Sequence, residues 1–186
     1  MRLFIAINLP QEIRSDLWQA AAPLRAASYP IRWVAADSIH LTLKFLGEVG
    51  PEREAEIIAG VERSVEGTRT FALPIGEFGA FPSPSRARVV WAGCEGVPPL
   101  ELLQDRLERE MEGLGFPIEG RAFHPHLTLG RVKRHAKAGD LSGLDEQLEQ
   151  LEYGAEFDVK SVDVMQSTLS RSGARYEVRR AVEFEV

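Results

Sequence analysis

The sequence predicts an α+β protein built as two pseudo-symmetric lobes that face each other. Three observations lead there. A strand, a helix and a histidine-bearing strand follow one another in that order, twice. The two histidine strands carry one tetrapeptide, His40-Leu41-Thr42-Leu43 and His126-Leu127-Thr128-Leu129, with the histidines 86 residues apart (126 minus 40). That period is too long for a solenoid repeat and suits two similar lobes. No low-complexity linker divides the copies, so residues 1–186 are expected to form a single bilobal domain with one motif in each lobe.

The elements follow in order. Leu3 to Leu9 is a compact β-type run ended by Pro10. Residues 10–27 read as a helix, with Ile13, Leu17, Ala20 and Leu24 at helical spacing and Pro23 perturbing the last turn. Residues 31–35 form a short strand and residues 39–46 alternate as a second one. Residues 51–66 form a helix whose apolar face holds Ile57, Ile58 and Val61, and 70–78 a strand. Phe81-Pro82-Ser83-Pro84-Ser85 is a loop. The second half repeats the scheme: a strand over 86–93, then a helix over 98–115 with leucines at 100, 103, 107 and 114 and Gly115 as its cap. A strand over 123–132, a shorter helix over 140–152 and strands over 155–169 and 175–186 complete it. The last two strands are joined as a hairpin through Arg171-Ser172-Gly173.

Composition narrows the function. A net charge of −6 argues against a broad duplex-coating surface, so nucleic-acid contact should be local, at an end or a single nucleotide. Cys94, the only cysteine, excludes an intrachain disulfide and a Cys-rich zinc cage, and fits a reducing cytoplasm. The N-terminal apolar run is too short for a signal peptide, and no stretch reaches the roughly 20 apolar residues of a membrane span.

The repeated tetrapeptide carries the chemistry. Strand side chains alternate, so His40, Thr42 and Lys44 should share one face while Leu41, Leu43 and Phe45 enter the core. In the second copy His126 and Thr128 share a face. Two imidazoles across a cleft suit attack on phosphorus: a neutral one takes a proton from water and a protonated one gives a proton to the departing oxygen. The threonine hydroxyls can hold non-bridging oxygens and Arg131 can clamp the same phosphate. Strict alternation puts Arg131 on the opposite face, unless Gly130 allows a bulge that re-aims it. Trp33, Phe45, Phe81 and Trp91 read mainly as core. His124 raises a His-x-His metal site, but no convincing further ligands accompany it, so no metal and no cofactor are expected.

These motifs resemble the 2H phosphoesterase superfamily, in particular its RNA 2′,3′-cyclic phosphodiesterase, or 2′-5′ RNA ligase-like, branch. The resemblance rests on HLTLKFLG at 40–47 and HPHLTLGR at 124–131, supported by RLFIAINLP at 2–10 and RVVWAG at 88–93. It implies two lobes, each a mainly antiparallel sheet with helices on its outer face, around a central cleft. It further implies metal-independent hydrolysis of a 2′,3′-cyclic phosphate to a 2′-phosphate. His40 would be the general acid and His126 the general base, with Thr42, Thr128 and Arg131 binding phosphate. The expected partner is RNA with a 2′,3′-cyclic phosphate terminus, or a small cyclic nucleotide, bound by a cytoplasmic monomer without membrane association. Reversible 2′-5′ ligation is implied by the branch's name. Competing readings are a phosphodiesterase for small cyclic nucleotides or 2′-5′-linked oligonucleotides, and a non-catalytic nucleotide-binding module.

Overall fold

In the computed structural model, residues 1–171 and 173–185 are described; Ser172, expected in the last hairpin turn, lies outside them. Among the described residues, nine strands form one curled antiparallel sheet. They are β1 (Arg2–Asn8), β2 (Ile31–Trp33), β3 (His40–Glu48), β4 (Phe71–Phe81), β5 (Val89–Cys94), β6 (His126–Val132), β7 (Gly154–Val159), β8 (Ser161–Ser170) and β9 (Gly173–Glu183). The order is β7-β4-β5-β6-β3-β1-β8-β9, with β2 on the edge of β6 beyond β3. The two histidine strands are therefore central neighbours. They pair at Leu41–Leu127, the residue after each histidine. Each half of the sheet has four strands on the main path, β3-β1-β8-β9 and β6-β5-β4-β7.

The helices back the sheet. The expected helix over 10–27 is two, α1 (Gln11–Ala20) and α2 (Ala22–Ala26), because Pro23 opens a new helix after Ala21. The helix expected over 51–66 starts with a 3-10 turn at Pro51–Arg53 and continues as α3 (Glu54–Val65). The strongest predicted helix is α4 (Pro98–Gly113), and α5 (Leu144–Glu149) is shorter than expected. The main core joins Ile57 and Val61 of α3 and Leu100, Leu103 and Leu107 of α4 to Ile5, Leu41, Leu43, Leu127, Leu129 and Val164 of the sheet. A second cluster packs Leu24, Leu144 and Leu148 against Ile31, Ala80 and Val90. The leucines of both tetrapeptides thus anchor their strands from behind, as alternation predicts.

One expected strand is two. The run 155–169 divides at Lys160: β7 pairs with β4 in one lobe, while β8 pairs with β1 in the other. Two consecutive polar residues, Lys160-Ser161, shift the phase of the alternation at the crossing, from Phe157 and Val159 to Val162 and Val164. No helix among the described residues is long and apolar enough to cross a membrane.

Candidate active site

Both motif strands carry a bulge at the same place. In β3, Ala6 of β1 faces Thr42 and Ile5 faces Lys44, so Leu43 is the extra residue. In β6, Trp91 of β5 faces Thr128 and Val90 faces Gly130, so Leu129 is extra. Two consecutive residues of each strand are buried as a result, Leu43-Lys44 and Leu129-Gly130. A bulge reverses the facing of everything beyond it. His126, Thr128 and Arg131 consequently share the open face, as the bulge anticipated at Gly130 requires. By the same shift His40, Thr42 and Phe45 share the open face.

This corrects the alternation reading of Lys44 and Phe45. Lys44 turns inward, its ammonium 2.6 Å from the Glu108 carboxylate of α4, and both side chains are buried. The same ammonium donates to the Pro117 carbonyl. Phe45 turns outward and is 65% exposed, where the core was expected. Phe81 and Trp91 are likewise on the open face, since Trp91 is the cross-strand partner of Thr128 and Phe81 of Val89. The indole lies over Gly79, where a Cβ would sit 2.3 Å from it. Trp33 does pack against the core.

The two imidazoles are held alike. Nδ1 of His40 lies 2.8 Å from the Ser38 carbonyl, and Nδ1 of His126 lies 2.6 Å from the His124 carbonyl. A carbonyl only accepts, so each Nδ1 carries its proton and Nε2 is the nitrogen left for chemistry. Each ring also meets an aromatic edge-on: Tyr176 at 5.0 Å from His40, and Phe81 at 5.1 Å from His126. Phe4 adds a tilted contact at 5.0 Å to His40. His124 contributes its backbone to His126, while its ring is exposed near Phe81. Thr42 and Thr128 are half-buried, and neither hydroxyl has a hydrogen-bond partner among the described residues.

His40 has a second set of neighbours. Arg14 of α1 donates to the Asp37 carbonyl at 3.0 Å and to Asn8 Oδ1 at 2.8 Å. Asn8, the cross-strand partner of His40, donates from Nδ2 to Asp163 at 2.6 Å. Arg14 therefore ties the turn that holds the His40 ring to the strand beside it. These residues, with Met165 and Tyr176, line a pocket of about 300 Å³ next to His40. Burial pushes the His40 pKa below its ordinary 6.5; the hydrogen bond to Ser38 opposes this, and the positive charges of Arg14 and Arg131 add to it. Burial raises the Asp163 carboxyl, against the Asn8 hydrogen bond.

Arg131 is exposed, and its charge reaches His40 across the lobes. Lone-strand reasoning misses Asn8, Arg14, Asp163 and Tyr176, because their link to His40 runs through neighbouring strands and a helix. The residue spacing holds no signal for them.

The fold and motifs place the chain among known proteins. A family model described as 2′-5′ RNA ligase superfamily matches residues 13–171. A Methanothermobacter thermautotrophicus protein named RNA 2′,3′-cyclic phosphodiesterase is 33% identical over 176 residues, covering 95% of each chain. The crystal structure of TT0787 of Thermus thermophilus superposes with a TM-score of 0.83 at 27% identity, over 99% of this chain and 98% of that one. Escherichia coli LigT in complex with 3′-AMP gives 0.76 at 30% identity, over 98% and 97%. The protein belongs to the 2′-5′ RNA ligase superfamily.

Proposed function

We propose that this protein hydrolyses RNA 2′,3′-cyclic phosphate ends to 2′-phosphates, with His40 as general acid and His126 as general base. The observation that carries this reading is the matched pair of imidazoles. Each is pinned through Nδ1 to the carbonyl two residues before it, beside a free threonine hydroxyl on one open face. A binding module has no use for two such nitrogens. The relative named RNA 2′,3′-cyclic phosphodiesterase supports the substrate class.

Neutral Nε2 of His126 takes a proton from water as the water oxygen attacks phosphorus. The bond from phosphorus to the 3′-oxygen breaks, and protonated Nε2 of His40 gives its proton to that oxygen. A 2′-phosphate and a 3′-hydroxyl remain. Thr42, Thr128 and Arg131 hold the non-bridging oxygens as charge gathers there. A 5′-hydroxyl of a second RNA in the water's place would form a 2′-5′ linkage by the same steps.

The depressed His40 pKa disfavours a protonated acid in the free enzyme. Arrival of the phosphate anion supplies the missing negative charge and restores that proton. Phe45, exposed on the same face as His40 and Thr42, is the aromatic best placed to stack on the base. Both motifs lie on one chain, so a monomer suffices for the reaction, and the single cysteine suits a reducing cytoplasm.

The test is product analysis on an oligoribonucleotide ending in a 2′,3′-cyclic phosphate, with a chelator present. A 2′-phosphate end is expected. An unchanged cyclic end, or activity lost with chelation, contradicts the reading.

A further inference from the structure

Three stretches of chain contain no carboxylate: residues 17–36, 78–94 and 120–139. The fold brings them together, because β2, β6 and β5 come one from each and lie side by side. In a protein with 28 acidic residues and a net charge of −6, this region is an exception. Arg32, Arg86, Arg88, Arg131, Lys133 and Arg134 are all exposed here, and none has an ion-pair partner among the described residues. On the helical side, by contrast, Arg63 pairs with Glu110 and Arg180 with Glu62.

The centre of this region is a cross-strand pair of like charges. Arg32 of β2 lies directly opposite Arg131 of β6. Such partners point to the same face, so Arg32 joins Arg131, Thr128 and His126 on the open side. Two facing cations cost stability unless an anion lies between or across them. The neighbouring chain extends the positive edge: the Val132 amide donates to the Arg88 carbonyl, and the Lys133 amide to that of Pro30.

We propose that Arg32, with Arg131, forms a second anion subsite that takes the phosphodiester backbone of the RNA leading into the reacting end, and that Lys133 and Arg134 continue this track. The partner is single-stranded RNA, matched by charge and by continuity with the site of the histidines. The proposal rests on the reading that the substrate is an RNA end.

The test compares the parent with Arg32→Gln and with a Lys133→Gln/Arg134→Gln double variant. Two substrates are used: a mononucleoside 2′,3′-cyclic phosphate and an oligoribonucleotide ending in the same group. Arg32→Gln should lower kcat/KM roughly tenfold more on the oligonucleotide than on the mononucleoside, the scale of one charge-assisted hydrogen bond. Equal fractional losses on both overturn the proposal. Binding is measured separately by fluorescence anisotropy of an unreactive oligoribonucleotide with an ordinary 3′-hydroxyl. Each phosphate contact removed should flatten the slope of log affinity against log salt by about 0.7. An unchanged slope in both variants overturns the proposal. If the parent hydrolyses neither substrate, the functional reading fails, and the anisotropy slopes alone decide between RNA track and no track.

Discussion

Burial is the main reason the His40 ring holds its proton less firmly than a free imidazole, and Arg14 and Arg131 add to the effect. The pH profile of kcat/KM reports the free enzyme and that of kcat the substrate complex. The alkaline limb of kcat/KM should therefore fall at lower pH than that of kcat; coincident limbs would contradict restoration of the proton by the phosphate. Stability responds as well. Above the ordinary 6.5 the ring is neutral in both states and contributes nothing. As pH falls below that value the unfolded chain takes up a proton that the folded chain refuses until its depressed pKa is reached. Stability is lost over that window and not beyond it. Urea unfolding of the parent and His40→Gln between about pH 7.5 and pH 5 should show the parent losing more. Arg14 holds the Asp37 carbonyl and Asn8 beside His40, and its charge lowers the His40 pKa. Arg14→Gln should move the His40 titration upward in an NMR experiment and weaken kcat more than KM. A merely structural role for Arg14 would leave the titration in place.

At the scale of the element, the two bulges decide what the site contains. A bulge at Leu129-Gly130 aims Arg131 at the histidine face, and Gly130 is required there. A Cβ would stand 2.6 Å from Ile31 and 2.8 Å from Trp33, so Gly130→Ala should push β2 away and weaken phosphate binding with both histidines intact. The matching bulge in β3 buries Lys44 against Glu108. Removing one partner alone leaves a buried charge, so Lys44→Met should cost about 3–5 kcal/mol in chemical denaturation. A Lys44→Met/Glu108→Leu double variant should recover most of it. The strands, the helices and the histidine pair are legible in the sequence because period-2 and period-3.6 patterns mark them. A bulge at Gly130 is legible because glycine signals one. The bulge at Leu43-Lys44 is not, since no glycine stands there and the aliphatic stem of lysine fits either side. Alternation alone consequently sends Phe45 to the core. The division of 155–169 at Lys160 leaves only a faint signal, the polar pair Lys160-Ser161 that shifts the alternation from Phe157 and Val159 to Val162 and Val164, and no glycine or proline marks it.

The whole molecule explains why the motif occurs twice. Two lobes joined at the Leu41–Leu127 pair set their histidine strands side by side and antiparallel. Each lobe thus offers one imidazole, one threonine and a distinct residue five places after the histidine: Phe45 in the first, Arg131 in the second. The division suits a substrate with a base at one side and a charged backbone at the other. Burial pushes the Cys94 thiol up to about 12, so alkylation at neutral pH should be slow and leave turnover unaffected. His40→Ala and His126→Ala should each lose roughly 10²- to 10⁴-fold in kcat. The most direct test of the two-histidine account uses a cyclic substrate whose 3′-oxygen is replaced by sulfur, a leaving group that needs no proton. This substrate should restore most of the activity lost in His40→Ala and little of that lost in His126→Ala. Rescue of His126→Ala instead, or of neither variant, would contradict the assigned roles.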